Sequence, residues 1–318
     1  MQSKYTDALS FPRYAGIKTF MRLPYTRDLT DIDIAIVGIP FDTGCSYATG
    51  SRFGPQRIRE TSSILKPYHP VLDVHITNTC HLIDYGDVLT IPGYIQETYA
   101  AIEKDLVPLV DAAVIPICLG GDHSITLAEL RALHKRHGPM ALIHFDAHSD
   151  TGDLFFGQPY NHGTTFRRAL EEKLILPENT LQIGIRGPLY SADQFAFAKN
   201  AGIEILTNWD IRTMGFDKAI EKIRKKITGQ KVFLTFDIDF LDAAFVPGTG
   251  TPEVCGFTTF EAQLLMLRGL RGANIIGADL VEVLPSLDSP GMITSYAASG
   301  IVFDMLALIA DVKQHLSH

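Results

Sequence analysis

Short apolar runs recur along the chain, each followed by a polar or glycine-rich break. The clearest are Ile32–Ile39, Ala113–Leu119, Met140–Phe145, Leu181–Ile185, Gly202–Leu206, Lys231–Phe236 and Asn274–Val281, with Cys80–Tyr85 weaker. Runs that are apolar throughout, rather than alternating, predict strands covered on both faces of a parallel sheet. Helical patterns lie between them, at Ser124–His137, Asp217–Ile227 and Thr259–Leu270. The first stops at Gly138-Pro139, where a helix cannot continue. This alternation predicts an α/β fold, a single three-layer domain with a mainly parallel sheet of about eight strands. No repeat, low-complexity tract or linker interrupts residues 1–318, and the first 30 residues read as an extended segment draped over the domain. No apolar run approaches the ~18 residues of a membrane span. The start, Met1–Asp7, lacks the apolar segment of a secretory signal.

Charge and cysteine usage narrow the classes. The chain has 28 Lys+Arg against 36 Asp+Glu, a net charge of −8, which argues against a nucleic-acid or anionic-membrane partner. With 46% hydrophobic residues the chain is rich enough in apolar side chains for a large core. Cys45, Cys80, Cys118 and Cys255 are scattered and read as small buried residues of a protein in the reducing cytoplasm.

In a parallel sheet, sites form at the carboxyl ends of strands, and three of those ends are unusual. Cys118-Leu119-Gly120-Gly121-Asp122-His123-Ser124 places a histidine after a tight turn, and it lacks the pattern of a phosphate loop. His144-Phe145-Asp146-Ala147-His148-Ser149-Asp150 spaces Asp146, His148 and Asp150 by two, so they project together. His144 has the same parity but sits deeper, and reads as a hydrogen-bonded core histidine. Thr235-Phe236-Asp237-Ile238-Asp239 again spaces two carboxylates by two, and Asp242 reads as a turn residue. So many carboxylates in one place need a compensating cation. His123, Asp146, His148, Asp150, Asp237 and Asp239 are too many ligands for one tetrahedral zinc with an open position. They suit two bridged ions, and an oxygen-rich set with some imidazole suits manganese.

These motifs resemble the ureohydrolase (arginase/agmatinase) family, and the resemblance runs through nearly the whole chain. Tyr160–Arg168 looks like the stretch around the family's proton-shuttling histidine, Val246–Pro252 like its agmatinase-type loop, and Val281-Glu282-Val283 like its substrate glutamate. Phe20–Pro24 and Gly50–Pro55 look like agmatinase-branch segments. The resemblance implies an arginase-like fold and two Mn²⁺ per subunit. By it, His123, Asp146, Asp150 and Asp237 hold one ion; Asp146, His148, Asp237 and Asp239 hold the other. It makes His162 the proton shuttle, Glu282 the guanidinium anchor, and Asp150 a ligand that also takes a proton. It implies hydrolysis of a guanidino group to urea and a primary amine, and a homo-trimer or homo-hexamer. Leu241-Asp242-Ala243-Ala244-Phe245 departs from the family's LDPAF, which removes some turn rigidity but no ligand.

The substrate is less defined. Asp153, in an aromatic loop, favours a cationic tail and so agmatine, giving putrescine and urea. The alternative is a guanidino acid such as 4-guanidinobutanoate or 3-guanidinopropanoate, with Arg13 or Arg22 on its carboxylate. A formimino hydrolase and a non-catalytic relative are further alternatives. Arg52, Arg167 and Arg168 read as capping or intersubunit residues.

Overall fold

The computed structural model describes residue 6 and residues 9–316; residues 1–5, 7, 8, 317 and 318, and with them most of the Met1–Asp7 start, lie outside the described residues. Eight strands form one sheet: β1 (Ile34–Ile39), β2 (Leu82–Asp87), β3 (Ile115–Gly120), β4 (Met140–Phe145), β5 (Ile175–Ile185), β6 (Glu204–Thr207), β7 (Lys231–Asp237) and β8 (Asn274–Val281). Their order is β2-β1-β3-β8-β7-β4-β5-β6, and every pairing is parallel. The predicted strands therefore stand with their ends shifted by a few residues. The exception is β5, which begins at Ile175 rather than Leu181. A separate two-stranded ribbon pairs Tyr68–His69 with Val74–His75.

The uniform apolar character of the runs has its reason in two cores. Along β1, Ile34 and Ile36 pack into one core while Ala35 and Val37 pack into the other. Helices Ile95–Asp111 and Thr126–His137 cover the second face. Helices Gly54–Ser62, Phe216–Ile227, Thr259–Leu270 and Ile293–Leu316 cover the first. The molecule is a single α/β domain. Thr258 caps the helix Thr259–Leu270 in a reciprocal pair with Glu261, which satisfies two backbone donors.

The helix Ile293–Leu316 corrects one expectation. It is long and apolar enough to cross a membrane, yet 72% of its apolar window is buried inside the molecule, as in a core helix. Before β1 the described chain has only the short turn Phe20–Arg22, and Phe20, Met21 and Leu23 there are buried in the first core. The cysteines are all free; Cys80 and Cys118 are buried as read, but Cys45 is half-buried and Cys255 is exposed.

Candidate active site

Strands β3, β8, β7 and β4 are consecutive neighbours in the sheet. Their carboxyl ends carry His123, Glu282, Asp237 with Asp239, and Asp146 with His148 and Asp150. The sheet order thus brings together motifs more than 100 residues apart.

The turn after β3 is built on close backbone approach. A Cβ on Gly121 would stand 2.2 Å from the Phe41 carbonyl and 2.7 Å from that of Ile39. Glycine there lets the chain pass and deliver His123 into the sheet edge. Asp122, a residue with no role in the sequence reading, accepts from the N–H of Gly44 at 2.8 Å and of Ser124 at 2.9 Å. It ties the 42–46 loop to the histidine's turn. Burial, with Glu282 nearby, pushes the Asp122 carboxyl up to about 6.

The six sequence-predicted ligands converge. His123 Nδ1 lies 3.1 Å from Asp146, 3.1 Å from Asp150 and 3.4 Å from Asp237. His148 Nδ1 lies 3.0 Å from Asp239 and 3.5 Å from Asp146. His123, Asp146, Asp237 and Asp239 are buried. Burial pushes Asp237 and Asp239 above the usual carboxylate range, and neighbouring carboxylates add to this. Burial opposes ionisation of Asp146 too, but His144, His123 and His148 outweigh it and hold Asp146 well below that range. His123 Nδ1 and Asp239 Oδ2 are buried with no hydrogen-bond partner. A histidine nitrogen and carboxylate oxygens gathered this closely, without mutual hydrogen bonds, form a donor set that fits divalent cations.

Two residues of this group adopt left-handed backbone. Asp150 has φ 50° and Glu282 has φ 64°, a conformation that costs a non-glycine residue energy. Glu282 Oε1 accepts from the His123 N–H at 2.9 Å and pairs with His162 Nδ1 at 3.0 Å. Its Oε2 is buried without a partner. Burial opposes the charged form of His162, but Glu282 outweighs it and raises the imidazole to about 9. On the other side, the Ser46 N–H donates to His162 Nε2 at 3.1 Å, which favours the neutral ring. Ser46 is another residue the sequence reading passed over; no motif marked it.

His144 is the buried, hydrogen-bonded histidine expected, 2.6 Å from Asp146 and taking a bond from the Gln182 amide at 3.1 Å. Asp242 is the turn residue expected. It accepts from the N–H of Ala244 and of Gly256, which holds the loop that lacks the family's proline.

A cavity of about 390 Å³ opens above the cluster. His148, Asp150, His162 and Asp237 line its floor, and Phe155, Tyr190 and Phe195 line its wall with Glu253. Three specificity expectations fail here. Asp153 lies outside this wall and is exposed, held by Arg167 at 3.2 Å and Arg168 at 2.9 Å. The two arginines anchor that loop rather than contact a substrate. Arg22 is buried away from the cavity and bonds the Phe11 carbonyl, and Arg13 is also absent from its wall. Arg52 pairs with Asp42, as a local clamp. The one arginine in the wall, Arg186, donates instead to backbone carbonyls, among them Asp239 at 2.6 Å and Glu253 at 3.1 Å.

Comparison with known proteins accords with this geometry. The model of the Arginase family matches residues 32–307. A guanidinopropionase from Pseudomonas aeruginosa is 41% identical, over 96% of this chain and 95% of that protein. A guanidinobutyrase from the same organism is 39% identical, over 95% of each. The solved proclavaminate amidino hydrolase from Streptomyces clavuligerus superposes with a TM-score of 0.91 at 37% identity, covering 95% of this chain and all of that one. The chain belongs to the arginase family. It is a hydrolase acting on guanidino C–N bonds.

Proposed function

We propose that the chain hydrolyses a small guanidino compound to urea and a primary amine, using two Mn²⁺ ions. The observation that carries this reading is Glu282 Oε2, a buried and unpartnered carboxylate oxygen beside a buried histidine–aspartate cluster. One ion would be held by His123, Asp146, Asp150 and Asp237, the other by Asp146, His148, Asp237 and Asp239. Bound there, the ions would lower the pKa of a water and supply hydroxide near neutral pH.

The chain's own residues do the rest. Glu282 pairs with the guanidinium through Oε2 and fixes the central carbon over the cluster, while Oε1 stays anchored by His123 and His162. Asp150 accepts a proton from the hydroxyl added to that carbon. His162, held charged by Glu282, gives a proton to the leaving amine. The Ser46 N–H then accommodates the neutral ring.

For the substrate's tail, we infer a short guanidino acid. Asp153, the residue that would recruit a cationic tail, is neutralised outside the cavity. The relatives named guanidinopropionase and guanidinobutyrase support the same reading. Agmatine is the second reading, favoured by the Glu253 carboxylate in the wall. Urea release from 3-guanidinopropanoate, 4-guanidinobutanoate and agmatine by Mn²⁺-loaded protein decides between them. Release from agmatine alone would reverse the order, and release from no guanidine would refute the reaction. The free cysteines support a cytoplasmic setting. The resemblance also implies assembly into a homo-trimer or homo-hexamer. Light scattering should then give three or six times 35.1 kDa.

A further inference from the structure

The 42–46 loop passes beside His162 and is tied to it on both sides of Cys45. The His162 N–H donates to the Gly44 carbonyl at 3.0 Å, and the Ser46 N–H donates to the His162 ring at 3.1 Å. The Gly44 N–H is held in turn by Asp122. With both neighbours fixed, Cys45 is held against the pair formed by His162 and Glu282. Its sulfur, a ring nitrogen of His162 and a carboxylate oxygen of Glu282 all lie within 4.8 Å of one another. Cys45 is half-buried, so the group is not sealed from solvent. The proposed reaction gives this thiol no part.

Sulfur changes which ion such a group prefers. The neighbouring cluster offers only carboxylates and imidazoles, which suit manganese. Thiolate, imidazole and carboxylate together suit zinc, which takes four ligands tetrahedrally and can leave one position to water. A buried orphan atom also points to a cation: Glu282 Oε2 has no hydrogen-bond partner. Burial, and after it Glu282, Asp122 and Asp42, hold the Cys45 thiol well above its ordinary range, so without a cation it stays protonated. Those same carboxylates attract a cation. The charges close as well. A neutral thiol, a charged imidazole and a carboxylate sum to zero. Zn²⁺ replaces two protons, one from Cys45 and one from His162, both released to water, and the sum stays zero.

We propose that Cys45, His162 and Glu282 form a third metal site, selective for a thiol-seeking ion such as Zn²⁺, whose occupation stops the reaction. The ion takes the carboxylate proposed to anchor the guanidinium and the imidazole proposed to serve the leaving amine, so it competes with the substrate. The inhibition rests on that reading of Glu282 and His162; the binding of the ion does not.

The test compares the Mn²⁺-loaded protein with its Cys45→Ala variant. Cys255, the exposed cysteine, is changed to serine in both, while Cys80 and Cys118 are buried. Cd²⁺ is added and read by the ultraviolet absorption of a cadmium–thiolate bond. Zn²⁺ is added and read by urea release, with manganese per chain followed by mass spectrometry. The parent should show the cadmium–thiolate band, and zinc should inhibit it in competition with the guanidino substrate while manganese stays bound. Loss of an outer partner alone weakens metal binding roughly 10–100-fold, so loss of a direct ligand should raise the zinc needed by at least about tenfold. Cys45→Ala should also lack the band. An equal band in both proteins, equal zinc sensitivity, or inhibition that tracks manganese loss overturns the inference. If alanine prevents folding, Cys45→Ser carries the same comparison. If the parent releases urea from no guanidine, the proposed reaction fails, and the cadmium band alone then decides for or against the site.

Discussion

Single residues carry the most chemistry where they are least comfortable. Glu282 is buried, holds a left-handed φ of 64° and keeps one oxygen unpartnered. Neither strain nor desolvation stabilises the fold, so both point to a ligand that repays them. Glu282→Gln keeps the shape and removes the charge. Losing one partner of a buried charge pair costs about 2–5 kcal/mol, so kcat/KM for urea release should fall roughly thirty- to several-thousand-fold. The same substitution removes the largest influence that raises His162 to about 9, leaving burial to lower it against the smaller pull of Asp150 and Asp122. The alkaline limb of the pH–rate profile should therefore move to lower pH while the profile loses height. Manganese content should stay at the wild-type level, since Glu282 holds no ion in the proposed set. A Glu282→Gln enzyme with wild-type kcat/KM would remove the anchor role.

At the scale of elements, the strand ends were legible because the chemistry is written in short motifs at period two, on runs whose burial leaves no other pattern. Met140–Phe145 and Asn274–Val281 stand as read, and the six predicted ligands meet. What stayed hidden has physical reasons. The helix Ile293–Leu316 is apolar around most of its circumference and so lacks the stripe that marks an amphipathic helix. Thr235, Asp279 and Gln182 are ordinary residues inside strands, and only sheet register makes them neighbours of the cluster. Asp153 was misread because its sequence position gives no sign of the two arginines that hold it. Two glycines test how far the elements constrain the backbone. Gly121→Ala puts a Cβ 2.2 Å from a fixed carbonyl, so it should cost about 1–3 kcal/mol and lower Tm by several degrees. Gly300, inside the last helix, has open space around a Cβ, so Gly300→Ala should stabilise by about 0.5–1 kcal/mol. Thermal melts of the two variants should move in opposite directions; a shared direction would contradict the packing described at Gly121 or Gly300.

For the whole molecule, the cluster couples metal, protons and stability. Of the net charge of −8, half corresponds to Asp146, Asp150, Asp237 and Asp239, a set that two divalent ions would neutralise. With the ions chelated away, protons substitute. Burial opposes charge on His123 and His148, but the adjoining carboxylates prevail and raise both well above the ordinary histidine value. His162 is raised to about 9 in the same way. A group raised in the folded state contributes stability that is complete below its unfolded pKa, near 6.5 for histidine, and is lost as pH rises through the folded value. Asp237 and Asp239, also raised, act with the same sign. Asp146, lowered, contributes stability that is lost only as pH falls below the usual carboxylate range. Between about pH 6.5 and 9, then, the contributions of these raised groups fall, while that of Asp146 is constant. Metal binding needs the histidine nitrogens free of protons, so it strengthens over the same interval. The Tm of chelated protein should therefore decline from pH 6.5 toward 9, while the gain in Tm on adding Mn²⁺ grows. Melts at several pH values, each with chelator and with saturating Mn²⁺, measure both trends. A manganese gain that stays constant or shrinks as pH rises would show that the protons and the ions do not compete for one site.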